Sequence, residues 1–181
     1  MLRGSVAILA CLLGCAALTG CSPAATPAPS PTSTAIFASE DEALAAATAV
    51  YQQYSAALDK VFAAGGQGDE SLRDFVTPEY LVELGKDGAL EKNGWRTTGV
   101  TSFDNISVSE LADTGKSATI TLALCRDVAD VRFVDAGGTD VTPETRMERF
   151  PVLVTFETEL GGLDGLKISE SDSWPGEDFC H

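Results

Sequence analysis

The sequence predicts an α+β domain in which helices come first and a four-stranded antiparallel sheet follows. Two observations carry this reading. Between Leu44 and Phe62 the apolar residues recur every three or four positions, the period of a helix face. From Val100 onward the period falls to two, in four runs of alternating apolar and polar residues separated by turn residues.

The helix has a readable start and stop. Ser39 is a capping residue, and Glu42 three positions on completes a capping box. The acids Glu40, Asp41 and Glu42 suit the positive end of the helix dipole. Leu44, Ala47, Tyr51, Tyr54, Leu58 and Val61 form one stripe, with Val50 and Phe62 beside it, and Gly65-Gly66 ends the run. That is a helix of about six turns. Tyr51 and Tyr54 either line a ligand cavity or sit in the core with their hydroxyls at a wet rim. Residues 69–94 hold one or two short helices: one opening at Asp69, another capped by Thr77 with Pro78 in its first turn and Tyr80, Leu81 and Leu84 as its apolar face.

The strands follow in order. Val100 to Leu111 is the first, and Asp113-Thr114-Gly115-Lys116 turns it back. Ser117 to Val128 is the clearest, with Ile120, Leu122 and Leu124 facing one way and Thr119, Thr121, Ala123 and Cys125 the other. Asp135 to Pro143 reads as a loop. Met147 to Leu160 places Phe150, Val152, Val154 and Phe156 on one face, residues 161–165 form a glycine-rich turn, and Leu166 to Trp174 is the last strand. One face of the sheet must bury against the long helix, and a strongly bent sheet would leave a cavity between them.

Ahead of this domain lies an export signal. Arg3 supplies a positive start and Val6 to Leu18 an apolar core of signal length, short for a membrane span. A simple secretory signal would end at a small-residue cleavage site. Leu18-Thr19-Gly20-Cys21 instead resembles, over all four positions, the lipobox of bacterial lipoproteins. The resemblance implies cleavage before Cys21 and a diacylglyceryl group on its sulfur, whose two acyl chains, such as palmitate, give the stable attachment that one would not. Residues 22–39, with Pro23, Pro27, Pro29 and Pro31 among Ala, Ser and Thr, read as a spacer of up to about 55 Å if extended. The expected organisation is residues 1–20 signal, 21–39 lipidated cysteine and tether, and 40–181 domain.

Charge and cysteines bound the function. The chain carries 12 basic and 27 acidic residues, and loss of Arg3 with the signal leaves 11 against 27, a formal charge of −16. Such a surface repels phosphate backbones and argues against nucleic-acid partners; it also repels anionic lipid, so the anchor is not electrostatic. Of five cysteines, Cys11 and Cys15 leave with the signal and Cys21 takes the lipid, which leaves Cys125 and Cys180. An even pair in an exported protein suits a disulfide. The competing zinc reading needs Cys125 and Cys180 with His181, the single histidine, as adjacent ligands, an awkward geometry. Asp127, Asp130, Asp135 and Asp140 gather near Gly137-Gly138 but miss the calcium-loop spacing and read as a solvated acidic loop, so no metal or other cofactor is expected. Asn105-Ile106-Ser107 matches a glycosylation sequon, which a bacterial lipobox argues against.

The order of elements, Tyr51 and Tyr54 on the long helix, the Cys125-Arg126-Asp127 strand and the closing Cys180 resemble the nuclear transport factor two-like cone fold over about residues 40–181. More narrowly they resemble small lipoproteins of Gram-positive bacteria built on that fold. There the strand cysteine and the terminal cysteine look bridged. The fold hosts both enzymes and binding modules. Its enzymes, ketosteroid isomerases and SnoaL-like cyclases, use an acidic or histidine acid–base pair inside the cone. Asp127 is the nearest such carboxylate here, but Arg126 and the polar loop behind it read as an exposed strand end, and His181 has no evident partner. No nucleophile elbow, phosphate loop or dinucleotide fingerprint occurs. The expectation is therefore a membrane-anchored, extracytoplasmic, non-catalytic domain that binds a small apolar ligand or a protein or cell-wall partner. The alternatives are a SnoaL-like enzyme and a purely structural domain with a filled core.

Overall fold

The computed structural model describes residues 34–86, 88–158 and 165–181. The signal, Cys21, the spacer as far as residue 33 and most of the 161–165 turn lie outside the described residues.

The long helix, α1 (Glu40–Ala63), starts as its cap predicts: Ser39 Oγ accepts from the Glu42 amide at 3.2 Å. Glu42 reaches one residue further back than a standard capping box, accepting from the Ala38 amide at 2.7 Å. The buried stripe is Ala43, Ala47, Tyr51, Tyr54, Ser55 and Val61, rotated slightly from the expected one, with Leu44 and Leu58 at its margin. Ala43 and Ala47 are fully buried, and their small side chains let the helix backbone approach the sheet closely. Packing begins ahead of the helix. Phe37, within the segment read as tether, is buried, and its amide donates to Asp113 Oδ2 at 2.9 Å. The apolar pair Ile36-Phe37 has enough surface to leave water where the preceding Pro and Ser do not.

A 3₁₀ turn (Asp69–Leu72) and two short helices, α2 (Pro78–Gly85) and α3 (Ala89–Asn93), follow. Thr77 caps α2 by accepting from the Tyr80 amide at 3.2 Å. The segment before α2 bridges to the last strand: Thr77 donates to the Ile168 carbonyl at 2.9 Å, and the Ile168 amide donates to Phe75 at 2.8 Å.

Four strands, β2 (Ser102–Asp113), β3 (Ala118–Asp127), β5 (Arg149–Thr158) and β6 (Leu166–Ser173), form an antiparallel sheet in the order β2-β3-β5-β6. The predicted strands are therefore present with their ends moved by up to two residues, and the α+β class with a four-stranded antiparallel sheet and several helices holds. Its inner face, Ile120, Leu122, Leu124, Val152, Val154, Phe156 and Ile168, buries against the α1 stripe. Register breaks occur in β2 between Asp104 and Ser107 and between Val108 and Glu110, and between β5 and β6 at Thr155/Phe156. Asn105 sits at the first of these with φ 55°, a left-handed conformation that Asn tolerates.

Two further strands, β1 (Arg96–Thr98) and β4 (Arg132–Val134), pair antiparallel as a separate ladder. Three residues are too few for a period to register, so nothing in the residue pattern marks them. Gly99, with φ +85°, turns β1 into β2; a Cβ there would lie 2.0 Å from the Asp130 carbonyl oxygen.

The outer face of β3 departs from simple alternation. Ala123 and Cys125 are buried as fully as their inner-facing neighbours. Cys125 is joined to Cys180 as a disulfide with Cα atoms 5.6 Å apart, which draws the C-terminal segment over that face. Arg149 holds the same segment, donating through Nε to the Cys180 carbonyl at 2.8 Å and pairing with Asp104 and, at 3.6 Å, with Asp127.

Candidate functional site

The C-terminal half of α1 does not lie flush on the structure beneath it. A pocket of about 250 Å³ opens between α1, the β1–β4 ladder and the adjoining ends of β3 and β5. Leu58 and Phe62 from α1, Phe133 from β4 and Phe150 from β5 make its apolar walls. Two wider clefts, of about 710 and 700 Å³, run along α1 against residues 99–103 and against Trp95; neither is lined by an arginine.

The polar groups of the pocket come from three places. Tyr51, Ser55 and Asp59 form one four-residue ridge of α1, so the helix that buries Tyr51 also delivers Asp59 to the pocket wall. Both Asp59 oxygens are engaged: Oδ2 accepts from the Thr101 amide at 2.9 Å and Oδ1 from the Thr101 hydroxyl at 2.8 Å, which ties the helix to the start of β2.

Arg126 comes from β3 beneath α1. Its Nε and Nη2 both donate to Tyr51 Oη, at 3.0 and 2.8 Å, and its guanidinium also lines the pocket. This corrects the exposed strand end expected from the polar residues after it. The helix crosses over this rung of β3, and Arg126 is half-buried. Tyr51 is itself fixed edge-on against Phe103, ring centroids 4.7 Å apart. Burial pushes the Tyr51 phenol above its ordinary range, against the pull of Arg126. Tyr54, which also lines the pocket, is raised strongly by burial and then by nearby Tyr80. Both phenols are therefore neutral at physiological pH, and Arg126 faces hydroxyls rather than phenolates. No carboxylate lies within 4.0 Å of it among the described residues.

Arg146 approaches from the loop before β5. Its Nη1 donates to the Val131 carbonyl at 2.9 Å and Nη2 to Val128 at 3.0 Å, which closes the turn between β3 and β4. Its Nε is buried and has no partner among the described residues.

The carboxylates singled out from sequence are elsewhere. Asp127 accepts from the Ala129 amide at 2.9 Å and pairs with Arg149, outside the pocket. Asp135 and Asp140 cap their own loop, accepting from the Thr139 and Thr142 amides at 2.8 Å each. His181 is exposed. Sequence reasoning missed Asp59, Arg126 and Arg146 as pocket residues. The four-residue ridge through Tyr51 was a signal for Asp59; the two arginines had none, because long-range packing places them.

Among solved structures, the intermembrane space region of the chloroplast protein ARC6 is similar, with a TM-score of 0.51 and 15% sequence identity over 74% of this chain and 97% of that one. At that identity the likeness extends to the fold alone. No protein-family model and no curated protein matches the chain. Among the described residues no helix is long and apolar enough to cross a membrane.

Proposed function

We propose that the chain is a bacterial lipoprotein, anchored outside the cytoplasm through acylated Cys21, whose domain binds a small apolar ligand without transforming it. The Leu18-Thr19-Gly20-Cys21 order supports the anchor, and the Cys125–Cys180 bridge suits an oxidising compartment. The pocket under α1 carries the binding reading: apolar walls with a few convergent polar groups are the ordinary make-up of a ligand site. The interruptions in β2 and between β5 and β6 favour a strongly curved, cone-like sheet around that pocket, as in nuclear transport factor two-like domains.

An enzyme of the SnoaL-like kind is the second reading, because Asp59 and Tyr54 line the same pocket. Binding is preferred because both Asp59 oxygens already hold Thr101. Cell fractionation tests the anchor. Cys21→Ala moves the protein from the membrane to the soluble fraction, and wild type purified from membranes begins at a diacylated Cys21. Wild type that keeps its first twenty residues, or a variant that stays on the membrane, overturns the lipoprotein reading.

A further inference from the structure

The pocket is electrostatically opposite to the chain that builds it. The protein has 27 acidic and 12 basic residues, yet two arginines and one aspartate are the charged side chains around this cavity. The aspartate holds Thr101 through both oxygens and lies beyond 4.0 Å from either guanidinium. Arg126 is a cation at any accessible pH, and among the described residues its hydrogen bonds run only to a neutral phenol. Burying a guanidinium without a counter-charge costs free energy, and evolution ordinarily places a carboxylate beside it. Here, among the described residues, no carboxylate lies within 4.0 Å of Arg126, although acids are plentiful in the chain. Arg146, on the same wall, has a buried Nε with no partner among the described residues.

We infer that the pocket takes an anionic ligand, a small carboxylate with a short apolar tail or a single ring, its charged head at Arg126 and its tail between Leu58, Phe62, Phe133 and Phe150. The inference rests on the binding reading above and names the ligand's chemical class. A guanidinium offers the forked donor geometry that a carboxylate accepts. Tyr51 holds Nε and Nη2 and fixes the plane of the group, while Nη1 makes no hydrogen bond among the described residues. A volume of about 250 Å³ lies just under the 300–1,000 Å³ of drug-sized sites and equals about eight waters of liquid. That admits a ligand on the scale of hexanoate or benzoate, not a full lipid acyl chain.

The test is titration calorimetry on the full chain with hexanoate and 1-hexanol, which share a tail and differ in charge. Hexanoate is expected to bind at least about tenfold more tightly than hexanol, the worth of one charge-assisted hydrogen bond. Arg126→Lys keeps a preference for hexanoate and Arg126→Met removes it. Circular dichroism verifies that each variant is folded, and the wild-type comparison decides the matter even if Arg126→Met does not fold. Equal binding of the two probes, or tighter hexanol, overturns the anionic class while leaving an apolar pocket. Binding of neither hexanoate, hexanol nor benzoate overturns the binding reading together with the inference.

Discussion

Tyr51→Phe removes one oxygen and leaves the ring. The edge contact with Phe103 and the fit against the sheet are retained, so the measured change is polar. The lost oxygen accepts two hydrogen bonds from Arg126, at 3.0 and 2.8 Å. A hydrogen bond to a charged group is worth about 1.5–3 kcal/mol, and two bonds sharing one acceptor are not additive. The variant also strands two N–H groups of a half-buried guanidinium. The expected loss is about 2–4 kcal/mol, or about 5–15 °C in Tm for a domain of this size. Arg126→Met strands the other partner, a phenol that is 1% exposed, at about 1–3 kcal/mol, offset in part by relief of the buried charge. The double variant has no stranded polar group and should cost less than Tyr51→Phe alone, because replacing both partners with apolar groups is close to neutral. Urea unfolding of all four proteins, disulfide intact, closes the cycle, with a common m-value as the check that compactness is unchanged. A Tyr51→Phe variant within about 0.5 kcal/mol of wild type, or a double variant as unstable as the sum of the singles, would refute the reasoning.

Two more predictions concern the ends of the domain. Replacing Cys125 and Cys180 together by Ala opens a loop of sequence separation 55 and should lower stability by about 4 kcal/mol on the chain-entropy account, read as a fall in urea midpoint; an unchanged midpoint speaks against it. At the other end, burial of Asp113 opposes its ionisation, but the backbone N–H groups of Phe37, Ile36 and Gly115 outweigh this and hold the carboxyl below its usual range. A depressed native pKa contributes stability above the unfolded value of about 3.9, lost as pH falls through the native one. Asp113→Asn should therefore flatten the acid limb of the Tm–pH curve below about pH 4, and an unaltered limb counts against the link.

Local signals were the legible ones. The Ser39 cap, the Thr77-Pro78 start and the alternation through Ile120, Leu122 and Leu124 are set by residues a few positions apart, and the structure places each within two residues of expectation. The leftover cysteine pair was readable by count. The site was not, because it is made by distance along the chain: Arg126 meets Tyr51 across 75 positions and Asp59 meets Thr101 across 42. Polar residues after Arg126 looked like a solvated strand end, since sequence shows the hydrophilic neighbours and hides the helix that lies over Arg126 itself. Ala123 and Cys125 misled in the opposite sense, as the C-terminal segment that buries them arrives from 55 residues away.

The Phe37–Asp113 contact has a bearing on access. It grips the incoming chain at the hairpin where β2 turns into β3, next to Ala118, whereas Arg126 lies eight residues along the same strand, roughly 26 Å away at the ordinary rise per residue. The described chain therefore enters the domain at the end of β3 remote from the arginine, and none of residues 34–39 lines the pocket.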